Sequence, residues 1–181
     1  MAGRPSDNSH SPQQSLNSTT TQLLTSIDLR NTMPQSVENP PSLYVNLSIS
    51  NVEAATKFFK ALGFFHNTEW SDKQTVSFFF PAPNANVALM LSDKDRYKTF
   101  IRPGTEISDA NKVTEVIFTF ACKTKGDVDA MVEKAVAAGG KPDPFTMPDN
   151  GAGFGMYCRS FEDVDGHIWE ANTMLPQGEE K

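Results

Sequence analysis

At 181 residues, with 38% hydrophobic content and a formal net charge of −6, the chain has the make-up of one globular domain carrying a polar appendage. The acidic balance comes with no basic block, which argues against nucleic acid as a partner. No apolar run approaches the roughly 18 residues that a membrane span requires, so none is expected.

Residues 1–42 are rich in Ser, Thr, Asn, Gln and Pro and offer little to pack. Such a composition cannot offset the entropy of ordering, and the segment reads as a disordered extension that the fold does not need. Its apolar cluster, Leu23 to Leu29, is the one part able to dock as a short helix. Arg4 and Arg30 are too few for a mitochondrial presequence, and no signal-peptide core is present at the start. The two cysteines, Cys122 and Cys158, sit in apolar surroundings and read as small buried hydrophobes. A reducing, cytoplasmic setting is the expectation.

From residue 43 the pattern sharpens. Residues 44–49 alternate, with Val45, Leu47 and Ile49 on one face and Tyr44, Asn46 and Ser48 on the other. Asn51 is placed to cap a helix over 52–62, whose stripe is Val52, Ala55, Phe59 and Leu62, and Gly63 ends it. Strands are predicted at 64–69, 75–80 and 86–92, separated by turn-forming residues. A polar connector (93–112) follows, with one helical turn near 94–100. Then the plan repeats: a strand at 113–121, a helix at 126–138, the stop Gly139-Gly140, and a hairpin with arms 156–161 and 167–173. Duplication on this scale fixes the architecture before any motif does. The three glycines at 151, 153 and 155 precede a strand, so they do not make a phosphate loop.

Strand parity also nominates the chemistry. The face turned away from the helices carries Tyr44, Asn46 and Ser48, then Ala88, Met90 and Ser92, then Glu115, Ile117 and Thr119, then Ile168, Glu170 and Asn172. A carboxylate among apolar strand neighbours is costly unless paired, hydrogen-bonded or bound to metal. Glu115 and Glu170 are therefore the leading candidates, while His167 reads as a histidine flanking the Asp-Gly turn and Trp169 as a core residue.

The duplicated plan, ending in Phe161-Glu-Asp-Val-Asp-Gly-His-Ile-Trp-Glu170, resembles the vicinal oxygen chelate superfamily of glyoxalases, bleomycin-resistance proteins and extradiol dioxygenases. The ending is close to the F-x-D-P-D-G-x-x-x-E signature, with Val164 in the proline position. Asn51 to Phe64 is similar to the family's segment ending in L-G-F. The resemblance covers residues 43–174 and implies an α+β fold. Two βαβββ modules would form a curved, cup-like mixed sheet around a cavity with helices outside, over a domain of 43–175 and a flexible tail at 176–181. It also implies a homodimer, a small-molecule ligand and, in metal-using members, a divalent ion.

Carried over by position, the metal-ligand slots fall on Tyr44, Met90, Glu115 and Glu170. Only Glu115 and Glu170 are ordinary ligands, because tyrosine phenols keep their proton near neutral pH and a thioether is soft. Extradiol chemistry is disfavoured, since its histidine slots hold other residues. The reading is a glyoxalase-like protein that binds or transforms a small organic molecule with an incomplete ligand set. Glu170 would be the catalytic carboxylate, and Tyr44, Asn46, Met90 and Arg159 would contact substrate. The alternatives are a metal-dependent lactoylglutathione lyase-type enzyme and a non-catalytic binding or resistance protein.

Overall fold

In the computed structural model, which describes residues 40–176 together with Met1, each half of the repeat builds a four-stranded mixed sheet of the same order. The first module runs β1 (Leu43–Ile49), α1 (Val52–Ala61), β2 (Phe65–Asn67), β3 (Thr75–Phe79) and β4 (Val87–Asp93). After a short helix α2 (Lys94–Lys98) and a connector, the second runs β5 (Ile117–Ala121), α3 (Lys125–Ala137), β6 (Lys141–Pro142), β7 (Met156–Glu162) and β8 (Ile168–Met174). The sheets are ordered β1-β4-β3-β2 and β5-β8-β7-β6, with first and last strands parallel in both. The expected α+β arrangement of two like modules is what the chain forms. The extension at 2–39, with its Leu23 to Leu29 cluster, and the tail beyond 176 lie outside the described residues.

Local chemistry sets the element ends. Asn51 accepts a hydrogen bond from the Ala54 amide at 2.8 Å and starts α1, satisfying one of the helix's orphan donors. Gly63, at φ +90, turns the chain out after the helix. Thr124 and Asp127 form a reciprocal capping box on α3. β2 stops at Asn67 because the Asn67 side chain accepts from the Glu69 amide and winds Thr68–Trp70 into a 3-10 turn. The short edge strand β6 was not anticipated; Pro142 tolerates an edge position, where no ladder donor is required.

The predicted strand at 113–121 is shorter than expected, beginning at Ile117. Its partner β8 begins at Ile168, immediately after the turn, so residues 113–116 have no strand to pair with and stay exposed.

The helix-bearing faces of both sheets share one core. Val45, Leu47 and Ile49 turn inward from β1 as the alternation requires. Phe59 of α1 packs edge-on against Trp169 of β8 at 5.5 Å, Phe58 lies 6.3 Å from Phe161, and Phe64 lies 6.3 Å from Phe120. Each such ring contributes on the order of 1.5–3 kcal/mol through burial, and the contacts cross from one module to the other.

Polar staples close the same seam. His167 donates from Nε2 to the Ser48 carbonyl at 2.9 Å, and the Ser50 amide donates to Asp165 at 2.7 Å. The Asn84 side chain donates to the Ala121 carbonyl and accepts from its amide, at 2.8 and 3.2 Å.

Asp163 organises the turn before β8. Its Oδ1 accepts from the Asp165 and His167 amides at 2.9 and 3.0 Å, and its Oδ2 accepts from the Trp169 indole N–H at 2.9 Å. Gly166, at φ +90, lets the chain pass Asn111; a Cβ there would sit 2.7 Å from that side chain. The signature-like segment is thus a structural knot that aims the following strand.

Candidate functional site

The faces turned away from the shared core carry the candidate site. On β1 and β4 the cross-strand pairs are Tyr44 with Ala88 and Asn46 with Met90. Tyr44 is 45% exposed and leans on Trp70, their ring centroids 5.8 Å apart, and Trp70 in turn lies 6.0 Å from Phe79. This gives the first sheet an aromatic wall beside the exposed Asn46 and the half-buried Met90.

On the second sheet Glu170 pairs with Thr119 on one side and Ser160 on the other. Its side chain is only 8% exposed, and its Oε1 accepts from the Thr119 hydroxyl at 3.1 Å. No ion pair reaches it among the described residues. Next to it, burial and the Glu170 charge push the Cys158 thiol up, which keeps it protonated and unreactive. Cys122 is pushed up to about 11 by burial and Asp127, in line with the reading of both cysteines as packing residues.

A segment between β6 and β7 folds over this carboxylate. The Ser160 hydroxyl donates to the Phe145 carbonyl at 2.6 Å, and the Cys158 thiol faces the Asn150 carbonyl. Asp149 and Asn150 adopt left-handed backbone angles, φ 50 and 49, which these residue types tolerate better than most. The crevice between segment and sheet, floored by Glu170, Cys158 and Ser160, is narrow.

Glu115 lies elsewhere. It precedes β5, is exposed, and accepts from the Ser108 hydroxyl at 3.1 Å. It lines a different cavity from the crevice that holds Glu170, so the two carboxylates are not brought together. Arg159, expected to contact substrate, is engaged by acidic side chains. It sits on the helix-facing row of β7, with its guanidinium forked onto Asp143 and bonded to Asp129 at 3.1 Å. The faces that the core leaves free thus present Tyr44, Asn46 and Met90 on one sheet and the Glu170 neighbourhood on the other.

A separate cavity of about 450 Å³ opens where β1 ends and β8 begins, walled by the 94–116 connector. Glu115, Arg102, Tyr97, Phe100, Ser48 and Ile168 are among its lining. Composition disguised this site, because a polar connector reads as a mere link.

A divalent ion does not fit the donors present. Glu170 is accompanied by hydroxyls and a protonated thiol, Met90 and Asn46 offer a thioether and an amide, and Glu115 stands apart. No group of three His, Cys, Asp or Glu converges among the described residues.

Paired modules of identical strand order, with a carboxylate on the last strand, define the class of paired-βαβββ proteins. A family model for the Glyoxalase/Bleomycin resistance protein/Dioxygenase superfamily matches residues 42–171, and the chain belongs to that superfamily. A glyoxalase/bleomycin resistance protein/dioxygenase family enzyme from Burkholderia phytofirmans is similar in structure, with a TM-score of 0.58 at 18% identity, covering 73% of this chain and 97% of that one. A hypothetical protein from S. aureus gives 0.56 at 22%, covering 82% and 98%. A lactoylglutathione lyase from Agrobacterium tumefaciens gives 0.51 at 20%, covering 75% and 96%. At these identities the likeness concerns the fold. Among curated proteins none matches in sequence.

Proposed function

We propose that this protein binds and transforms a small, partly apolar organic molecule on the sheet faces that the core leaves free, with Glu170, at the floor of the narrow crevice beneath the segment between β6 and β7, as the carboxylate that gives or takes a proton. The observation that carries this reading is a carboxylate 8% exposed, without a cationic partner among the described residues, on the face that the core leaves free. A carboxylate shielded from bulk water and held by a hydroxyl is positioned as proton transfer requires. The Thr119 hydroxyl donates to one of its oxygens at 3.1 Å and so holds the carboxylate in place, with the Cys158 thiol beside it. The aromatic wall of Tyr44 and Trp70 suits the apolar body of the ligand, and Asn46 can donate or accept beside it.

The exposed face of the first sheet, with Tyr44 and Asn46, would be closed by a second copy, giving a cytoplasmic homodimer. Of the described residues, no helix is long and apolar enough to cross a membrane.

The test is Glu170→Gln in the full chain, followed by ligand titration and turnover assays against a library of small carbonyl and hydroxy compounds. Glutamine keeps the shape and the bond from Thr119, so folding should persist while turnover is lost. Full activity in the variant would place the chemistry elsewhere. Loss of turnover in Glu115→Gln instead would move the site to the connector cavity.

A further inference from the structure

We infer that the cavity between the end of β1, the start of β8 and the 94–116 connector is a second ligand site, which takes a zwitterion with an apolar body, the class of a small apolar dipeptide. The inference is independent of the Glu170 reading. Among the described residues the second module has no counterpart to this connector, because β8 is followed by only two of them, so the cavity is an addition to the repeated plan.

Its volume of about 450 Å³ falls within the roughly 300–1,000 Å³ of small-molecule sites. Its floor is held in place. Tyr97 donates its hydroxyl to the Asn46 carbonyl at 3.4 Å, and His167 holds the Ser48 carbonyl at 2.9 Å. The Ser48 hydroxyl, also on this floor, is buried with no hydrogen-bond partner.

The walls carry both signs of charge. Arg102 and Glu106 line the cavity and enter no ion pair among the described residues, while Glu115 accepts only from Ser108. A simple anion would meet two carboxylates against one guanidinium, and a simple cation would meet the guanidinium. A molecule with a carboxylate at one end and an ammonium at the other satisfies both. Phe100, Ile107, Val113 and Ile168 provide the apolar surface between.

The test is calorimetric titration of the full chain with L-leucyl-L-leucine, its N-acetyl derivative and its C-terminal amide. The free dipeptide should bind, and each blocked form should bind about tenfold or more weakly, the loss of one charge-assisted contact. Arg102→Glu should weaken the free dipeptide by a similar factor, and Glu170→Gln should leave it within about twofold. Arg102 is on the surface, so its variant should fold, and circular dichroism verifies this. Equal binding of the blocked forms, or no dipeptide binding at about 10 mM, overturns the assignment. A loss in Glu170→Gln as large as that in Arg102→Glu would merge the cavity with the Glu170 face and overturn the claim of a second site.

Discussion

Replacing Asp163 with asparagine tests whether the turn before β8 is structural. The native side chain is 4% exposed and accepts three N–H groups, one of them the fully buried Trp169 indole. Asparagine can keep Oδ1 and its two backbone donors, but its amide nitrogen then faces the indole N–H, donor against donor. One buried donor left without an acceptor costs about 1–3 kcal/mol. At about 4 °C per kcal/mol for a domain of this size, the melting temperature should fall by roughly 8 °C. Alanine leaves all three donors bare and should cost about 3–5 kcal/mol, or roughly 15 °C.

Burial pushes the Asp163 carboxyl above the usual carboxylate range, against the pull of His167 and the N–H donors. The folded chain therefore holds this proton more tightly than the unfolded chain. That contribution is fully present below the unfolded value of about 3.9 and is lost as pH rises through the raised one. Asparagine does not titrate, so the gap between wild type and variant should narrow as pH climbs from about 4. Calorimetry of both proteins across that range is the assay. An asparagine variant as stable as wild type, or a gap that widens with pH, would refute the account.

Other outcomes follow from the same geometry. Gly166→Ala meets Asn111 at 2.7 Å in a left-handed conformation, and chemical denaturation should show a loss of at least about 1–2 kcal/mol. Arg159→Ala should lower stability by about 1–2 kcal/mol in a melt while leaving ligand affinity within about twofold, since its guanidinium serves Asp143 and Asp129. Light scattering at tens of micromolar should report a dimer, and a monomer there would remove the partner from the proposed site.

Much of this architecture was legible because alternation and helical spacing report burial directly. Val45, Leu47 and Ile49 turned inward, Trp169 went under the core, and Glu170 reached the opposite face, all from period-two parity. The duplicated strand–helix–glycine plan gave the common strand order. Parity failed for Glu115, because it presumes a strand and the partner strand had run out. Arg159 was nominated by its charge and not by parity; it shares the inward row with Phe161, and two aspartates from distant segments hold it. The role of Asp163 was signalled by an aspartate two residues before Asp-Gly, a local turn-capping pattern, but its bond to an indole six residues on was not. The cavity depends on where a loop lies in space, which composition does not encode.

The core shared by the modules bears on the origin of such a chain. Phe59, Phe64, Phe120 and Trp169 find their neighbours across the seam, so a single module expressed alone would present an aromatic face to water. A free half would have to gather a second half to fold, and the two should complement one another in trans. A single module would then need a second copy to cover that face, and the connector that joins the two modules here also walls the cavity at their join.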